Sequence, residues 1–289
     1  MLFIVLTALQ TPIVEPSGLF QSPRVMESSG VAASRRHPGV LWTHNDSGDG
    51  PYLYATDLRG RDRGALLVRG AEAYDWEDIA LGPCPAAAGT GDCVFIGDTG
   101  DNFEDRAWVT VYAVPEPEPP TAPADTLRVT EGPAVLRLRY PDGPHDVEAI
   151  YVSPGDSALF LVSKGRSGPI RLYRVGVEGW AADTVLTAAL VQVLPIEPDP
   201  GAGRWITSSA VRADGRLVAL RTPSEIFFFT PGAGGRLQPP GRPVCTIRGL
   251  EYRGEAIDFL PDGTLVLTSE ADGPKLPGQI HVVRCPDGT

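Results

Sequence analysis

Short apolar runs punctuated by polar turns recur along the whole chain. The segments ESSGVAASRRHPGVLWTHND (27–46), EDIALGPC through CVFIGD (77–98), EAIYVSPGDSALFLVSK (148–164), TSSAVRADGRLVALRT (207–222) and EAIDFLPDGTLVLTSE (255–270) share one plan. Each begins on an acid or hydroxyl residue, runs through a β-like stretch and turns at a Pro/Gly/Asp cluster. It then returns through a second apolar stretch that ends on a polar group, which is a β-hairpin pattern. The last two segments align without a gap. A further strand-like run follows each hairpin (YLYATDL, VTVYAV, IRLYRV, EIFFFT, QIHVVRC), and most units add another, such as GALLVRG, AVLRLRY, TVLTAALVQVL or PVCTIRGL. Four short antiparallel strands repeated in this way predict an all-β fold, a β-propeller of five blades. Six blades, one of them lacking the motif, is the alternative. No amphipathic helical period of useful length is present.

The fifth hairpin is followed by a single strand. Its missing outer strand is therefore expected from LFQSPRVM (19–26), which would close the ring and remove an exposed edge. The Pro-rich insertion PEPEPPTAPAD (115–125) reads as a surface excursion rather than a domain linker.

Composition agrees with many strands and many turns. The 289 residues include 33 glycines and 29 prolines beside an ordinary apolar fraction of 42%. A net charge of −11 argues against nucleic acid and anionic membrane surfaces as partners, since both would be repelled, and leaves cations, sugars, neutral molecules and basic partners open. The apolar start MLFIVLTALQTPIVEP is too short to span a bilayer. Residues 1–11 are expected to be the remainder of a signal peptide, with an apolar N-terminal strand as the alternative, and 12–289 a single, monomeric domain. Four cysteines fit an oxidising, secreted or periplasmic setting. Cys84 and Cys93 flank a short loop between strand-like runs, so the local pairing is favoured, leaving Cys245 with Cys285.

In a propeller the innermost strand of each blade lines the central channel, and the turn after the second strand lies on the face where the innermost strand begins. That geometry predicts two concentric rings: Glu27, Glu77, Glu148, Thr207 and Glu255 at the channel mouth, and Asp46, Asp98, Lys164, Thr222 with Arg221, and Glu270 around them. Converging glutamates repel one another, which raises pKa values or calls for a cation. An oxygen-rich ring suits Ca²⁺ better than zinc, with Glu27, Glu77, Glu148 and Glu255 as ligands and Asn45 and Asn102 as neutral ones. Lys164 and Arg221 would neutralise part of the charge or hold an anionic group of a small-molecule substrate. Glu77 and Glu148 are candidate catalytic carboxylates, and His44 and His145 candidate bases. Against this stands a structural reading: Asp46, Asp49, Asp98 and Asp101 lie in D-S-G-D and D-T-G-D turns, where aspartate commonly closes an Asx turn.

The phrases HNDSGD (44–49), DWEDIA (75–80), GDTGDN (97–102), YPDGPHDVEA (140–149), VALRT (218–222) and GEAI (254–257) with Ser269-Glu270 resemble those of a group of secreted bacterial β-propellers of largely unknown function. More distantly the acidic ring is similar to gluconolactonase/regucalcin-like, paraoxonase-like and phytase-like propellers. That resemblance implies a divalent cation, usually Ca²⁺, on the central axis and hydrolysis of lactones, esters or phosphoesters. A non-enzymatic propeller that binds a ligand or protein on the same face is the alternative. Thr207, Lys164 and Arg221 stand where an all-ligand ring would carry acids.

Overall fold

The computed structural model describes residues 12–120, 127–176, 179–180, 184–273 and 275–286. The expected signal segment, 1–11, lies outside them. The described residues form no α-helix; five mainly antiparallel sheets make five blades. From the centre outward, blade I is Ser28–Ala33, Leu41–Asn45, Tyr52–Thr56 and Ala65–Leu67, and blade II is Trp76–Pro83, Asp92–Asp98, Val109–Pro115 and Ala134–Arg139. Blade III is Val147–Val152, Leu159–Ser163, Arg171–Val175 and Ala189–Val193. Blade IV is Ser208–Val211, Val218–Arg221 and Glu225–Pro231, whose outer edge is shared by Leu237–Gln238 and Cys245–Thr246. Blade V is Gly254–Phe259, Leu265–Ser269, Gln279–Arg284 and, from the other end of the chain, Ile13–Leu19.

The ring does close through its two ends, but six residues earlier than the sequence predicts. Ile13 pairs with Arg284 and Leu19 with Gln279, while Phe20 onward leaves the sheet and crosses to blade I. That crossing is tight. Gly60, at φ +72°, lies where a Cβ would stand 1.9 Å from the Leu19 carbonyl oxygen, so only glycine lets the closing strand pass.

Five apolar layers, one between each pair of neighbouring blades, account for five blades rather than six. Trp42, Trp76 and Ile96 fill the layer between blades I and II, and Phe20, Val31 and Val266 the layer between V and I. Innermost strands are shielded on both faces, so their polar side chains must find partners across the axis. Asp78, fully buried, accepts from Ile79 N (3.0 Å), Ile150 N (2.9 Å), Ser208 Oγ (3.0 Å) and Ser209 N (3.2 Å), joining blades II, III and IV. Asp258 accepts from Ala33 N at 2.7 Å and joins V to I.

Disulfides Cys84–Cys93 and Cys245–Cys285 both form. The first closes a hairpin of blade II and the second ties the outer edge of blade IV to blade V. Two connections lend a short parallel strand to the preceding blade: Arg128–Val129 to blade I and Val185–Thr187 to blade II.

Candidate functional site

In four blades the first two strands slip register by one residue where the innermost strand begins. The residue left unpaired by this bulge is Ser29, Glu77, Glu148 or Glu255, and a bulge re-aims that side chain. Blade IV has no slip, yet Thr207 occupies the matching place. Its hydroxyl donates to the Glu255 carbonyl (2.7 Å) as that of Ser29 donates to the Glu77 carbonyl (2.6 Å). The inner ring is therefore Ser29, Glu77, Glu148, Thr207 and Glu255. Glu27 stands two residues earlier, in register with Asp75, Asp146, Trp205 and Arg253. It is exposed and bridges to Glu270. Asp75 and Asp146 were not among the expected site residues.

The second-strand ring also shifts. Asp46, Lys164 and Glu270 are equivalent, since their N–H groups donate to the carbonyls of Glu27, Asp146 and Arg253 at 3.0, 2.8 and 3.0 Å. Asp98 is instead the counterpart of Asn45. Asn45 Oδ1 accepts from Met26 N and Glu27 N (2.9 and 3.0 Å), and Asp98 accepts from Tyr74 N and Asp75 N (3.2 and 3.3 Å). Both are brackets that hold the approach to the innermost strand, and Asp98 also pairs with Arg106 at 2.9 Å. Arg221, 1% exposed, spends its guanidinium on Glu251 and on the carbonyls of Ala256 and Thr268, so it bonds blade IV to V. Thr222 Oγ1 accepts from Glu225 N (2.9 Å) and closes a turn. Asn102 is exposed and accepts from Arg166 (2.6 Å).

Neither histidine joins the acids. His44 is fully buried against Trp76; its Nδ1 donates to the Asn45 carbonyl (2.8 Å), and burial lowers its pKa to about 4. His145 stacks on Tyr173 with Nε2 3.3 Å from Asp142, in a separate pocket that it lines with Tyr140 and Trp108.

What does converge is a set of carboxylates from blades I, II and III. Asp46, Asp75 and Glu77 present oxygens within 4.8 Å of one another, and so do Glu77, Asp146 and Glu148, with Glu77 common to both groups. Lys164 Nζ donates to Glu148 and lies 3.8 Å from Asp146; Arg166 Nε reaches Asp146 at 2.8 Å. Burial is the first cause of the upward pKa shifts here and like-charge repulsion follows. Glu77 is pushed well above the carboxylate range by burial, then by Glu148, Asp46 and Asp75. Asp75 rises to about 6 and Glu148, despite Lys164, to about 7. Glu255 is also raised, by burial and then Glu148, but it is not part of either close group.

Gly100 packs against the acidic cluster. A Cβ there would stand 2.1 Å from Glu77 Oε1 and 2.5 Å from Asp75 Oδ2, so the turn backbone lies directly on the two acids. The carboxylate of Glu77, 3% exposed, receives no hydrogen bond among the described residues. All-oxygen donors at this spacing fit a hard divalent cation. Asp75 and Asp146 are recoverable from sequence by one signal, the acid-x-Glu spacing of D-W-E and D-V-E, which sets an acid two residues before each of two ring glutamates.

No protein-family model matches the chain, and no curated protein matches it in sequence. Among solved structures the chain is similar to a gluconolactonase of Xanthomonas campestris, with a TM-score of 0.50 and 13% identity over 96% of this chain and 91% of that one. It is also similar to a chain of a nidogen/laminin complex (TM-score 0.45, 12% identity, 85% of this chain and 73% of that one). A third likeness is to the Dos1 propeller (TM-score 0.37, 11% identity, 79% and 49%). At these identities the likeness is one of fold. Fold and site together define a five-bladed β-propeller with a largely buried acidic cluster where its innermost strands begin.

Proposed function

We propose that the chain is an extracytoplasmic propeller that holds a divalent cation, Ca²⁺ by its donor chemistry, among the mouth carboxylates and hydrolyses an ester, lactone or phosphoester there. The observation that carries this reading is Glu77, a buried carboxylate with no hydrogen-bond partner among the described residues and shared by two close acidic groups. Burial and its acidic neighbours disfavour the ionised form of Glu77, and a bound cation would favour that form instead. The named activity of the Xanthomonas propeller supports the hydrolytic part, and two disulfides support the compartment. A cation held at this site would polarise a carbonyl or phosphoryl oxygen. In this reading Glu148, rather than either histidine, would take a proton from an attacking water; the rise of its pKa to about 7, with burial as the first cause, supports that role. A binding propeller without turnover is the second reading. The Lys164–Glu148 ion pair favours it, since it engages that same carboxylate.

The test is thermal unfolding of chelator-stripped protein with and without Ca²⁺, for the native chain and Glu77→Gln, beside turnover of nitrophenyl esters, a sugar lactone and nitrophenyl phosphate. Ca²⁺ is expected to raise the native midpoint by at least about 2 °C and to leave the variant unmoved. Absence of any divalent-cation effect would sink the site, whereas a shift without turnover would select the binding reading.

A further inference from the structure

The two acidic groups that share Glu77 are not alike. In the Glu77–Asp146–Glu148 group, two of three carboxylates already have a bonded cation: Lys164 Nζ on Glu148, with Asp146 at 3.8 Å, and Arg166 Nε on Asp146 at 2.8 Å. In the Asp46–Asp75–Glu77 group no lysine or arginine forms an ion pair among the described residues. Asp46 accepts only from Ser47 N (2.5 Å), and the Asp75 and Glu77 carboxylates, 8% and 3% exposed by residue, accept nothing there. Gly100 keeps the room above these last two free of a side chain.

We propose that the chain binds a single divalent cation, at Asp46, Asp75 and Glu77, and that the Lys164 ammonium is a tethered occupant of a second, latent cation site at Glu77, Asp146 and Glu148. The assignment rests on the cation reading given above and adds to it which carboxylates do the binding. Physical bookkeeping favours it. An ammonium and a divalent ion compete for the same oxygens, and the cation settles where less positive charge is already in place. Lys164 Nζ, while bonded to Glu148, also lies 5.8 Å from the centroid of the Trp205 ring, so the ammonium sits between the acids and an indole face.

Calorimetric titration of the chelator-treated full chain with CaCl₂ tests this, with circular dichroism confirming that each variant is folded. The native chain is expected to take up one Ca²⁺, and Asp75→Asn to weaken that uptake at least about tenfold while Glu148→Gln changes it less than about threefold. Lys164→Met, which keeps the aliphatic stem, is expected to admit a second equivalent or to tighten the first at least about tenfold. Uptake that depends on Glu148 and not on Asp75, or that is unchanged or weakened in Lys164→Met, would overturn the assignment while leaving a cation site in place. Failure of every variant and of the native chain to bind Ca²⁺ or Mn²⁺ would remove the cation reading itself.

Discussion

Single residues in this ring are set by what surrounds them more than by what they are. His44 shows it most plainly: burial holds it neutral with a pKa of about 4 against 6.5 when unfolded. The unfolded chain therefore takes up a proton as pH falls below 6.5, while the folded chain does not until about 4. Stability is fully present above pH 7 and is lost across that window, by on the order of 3 kcal/mol from this residue. Denaturant unfolding at pH 7 and 4.5 should show a smaller loss in His44→Gln than in the native chain. The same dependence on surroundings limits what sequence reveals. Glu77, Glu148 and Glu255 stand out because a repeated glutamate is a poor turn residue. Glu27 aligns with them in sequence because blade I also opens on an acid, and a bulge residue, present in four of the five blades, is invisible to an alternation argument. Once the bulge is counted, Ser29 takes the ring position and Glu27 falls in line with Asp75 and Asp146.

At the level of strands and turns, the hairpins were legible because each pairs neighbours through its own turn, with apolar residues on the packed face. The closing strand Ile13–Leu19 and the borrowed strands Arg128–Val129 and Val185–Thr187 were not. Both borrowed strands are short and largely exposed, and their pairing is decided by where the rest of the chain places them. The two acidic turns occupy one blade position, offset by a residue, so that Asp98 does for blade II what Asn45 does for blade I. What sets the blade II turn apart is Gly100 against Glu77 and Asp75. Gly100→Ala is expected to leave the ring folded but to weaken Ca²⁺-dependent stabilisation at least about tenfold, read as the Ca²⁺ concentration needed for half the thermal shift.

Across the whole molecule, stability rests on five apolar layers and on the closure that joins the last blade to the first strand. The two disulfides reinforce this unequally. Cys245–Cys285 spans 40 residues and links two blades, whereas Cys84–Cys93 spans 9 within one hairpin. Chain-entropy reasoning gives about 4 kcal/mol for the longer loop and about 3 kcal/mol for the shorter. Paired Cys→Ala variants are therefore expected to lose more stability at 245/285 than at 84/93, as measured by equilibrium unfolding in denaturant.

Closure also fixes an orientation. Blade V's innermost strand starts at the mouth beside Glu255, so its third strand runs away from the mouth and ends at Arg284, where Ile13 lies alongside. Both ends of the ring thus sit together on the far face. A bulky group placed at Ile13 or Arg284 would therefore stand on the face opposite the acidic mouth and leave that mouth uncovered.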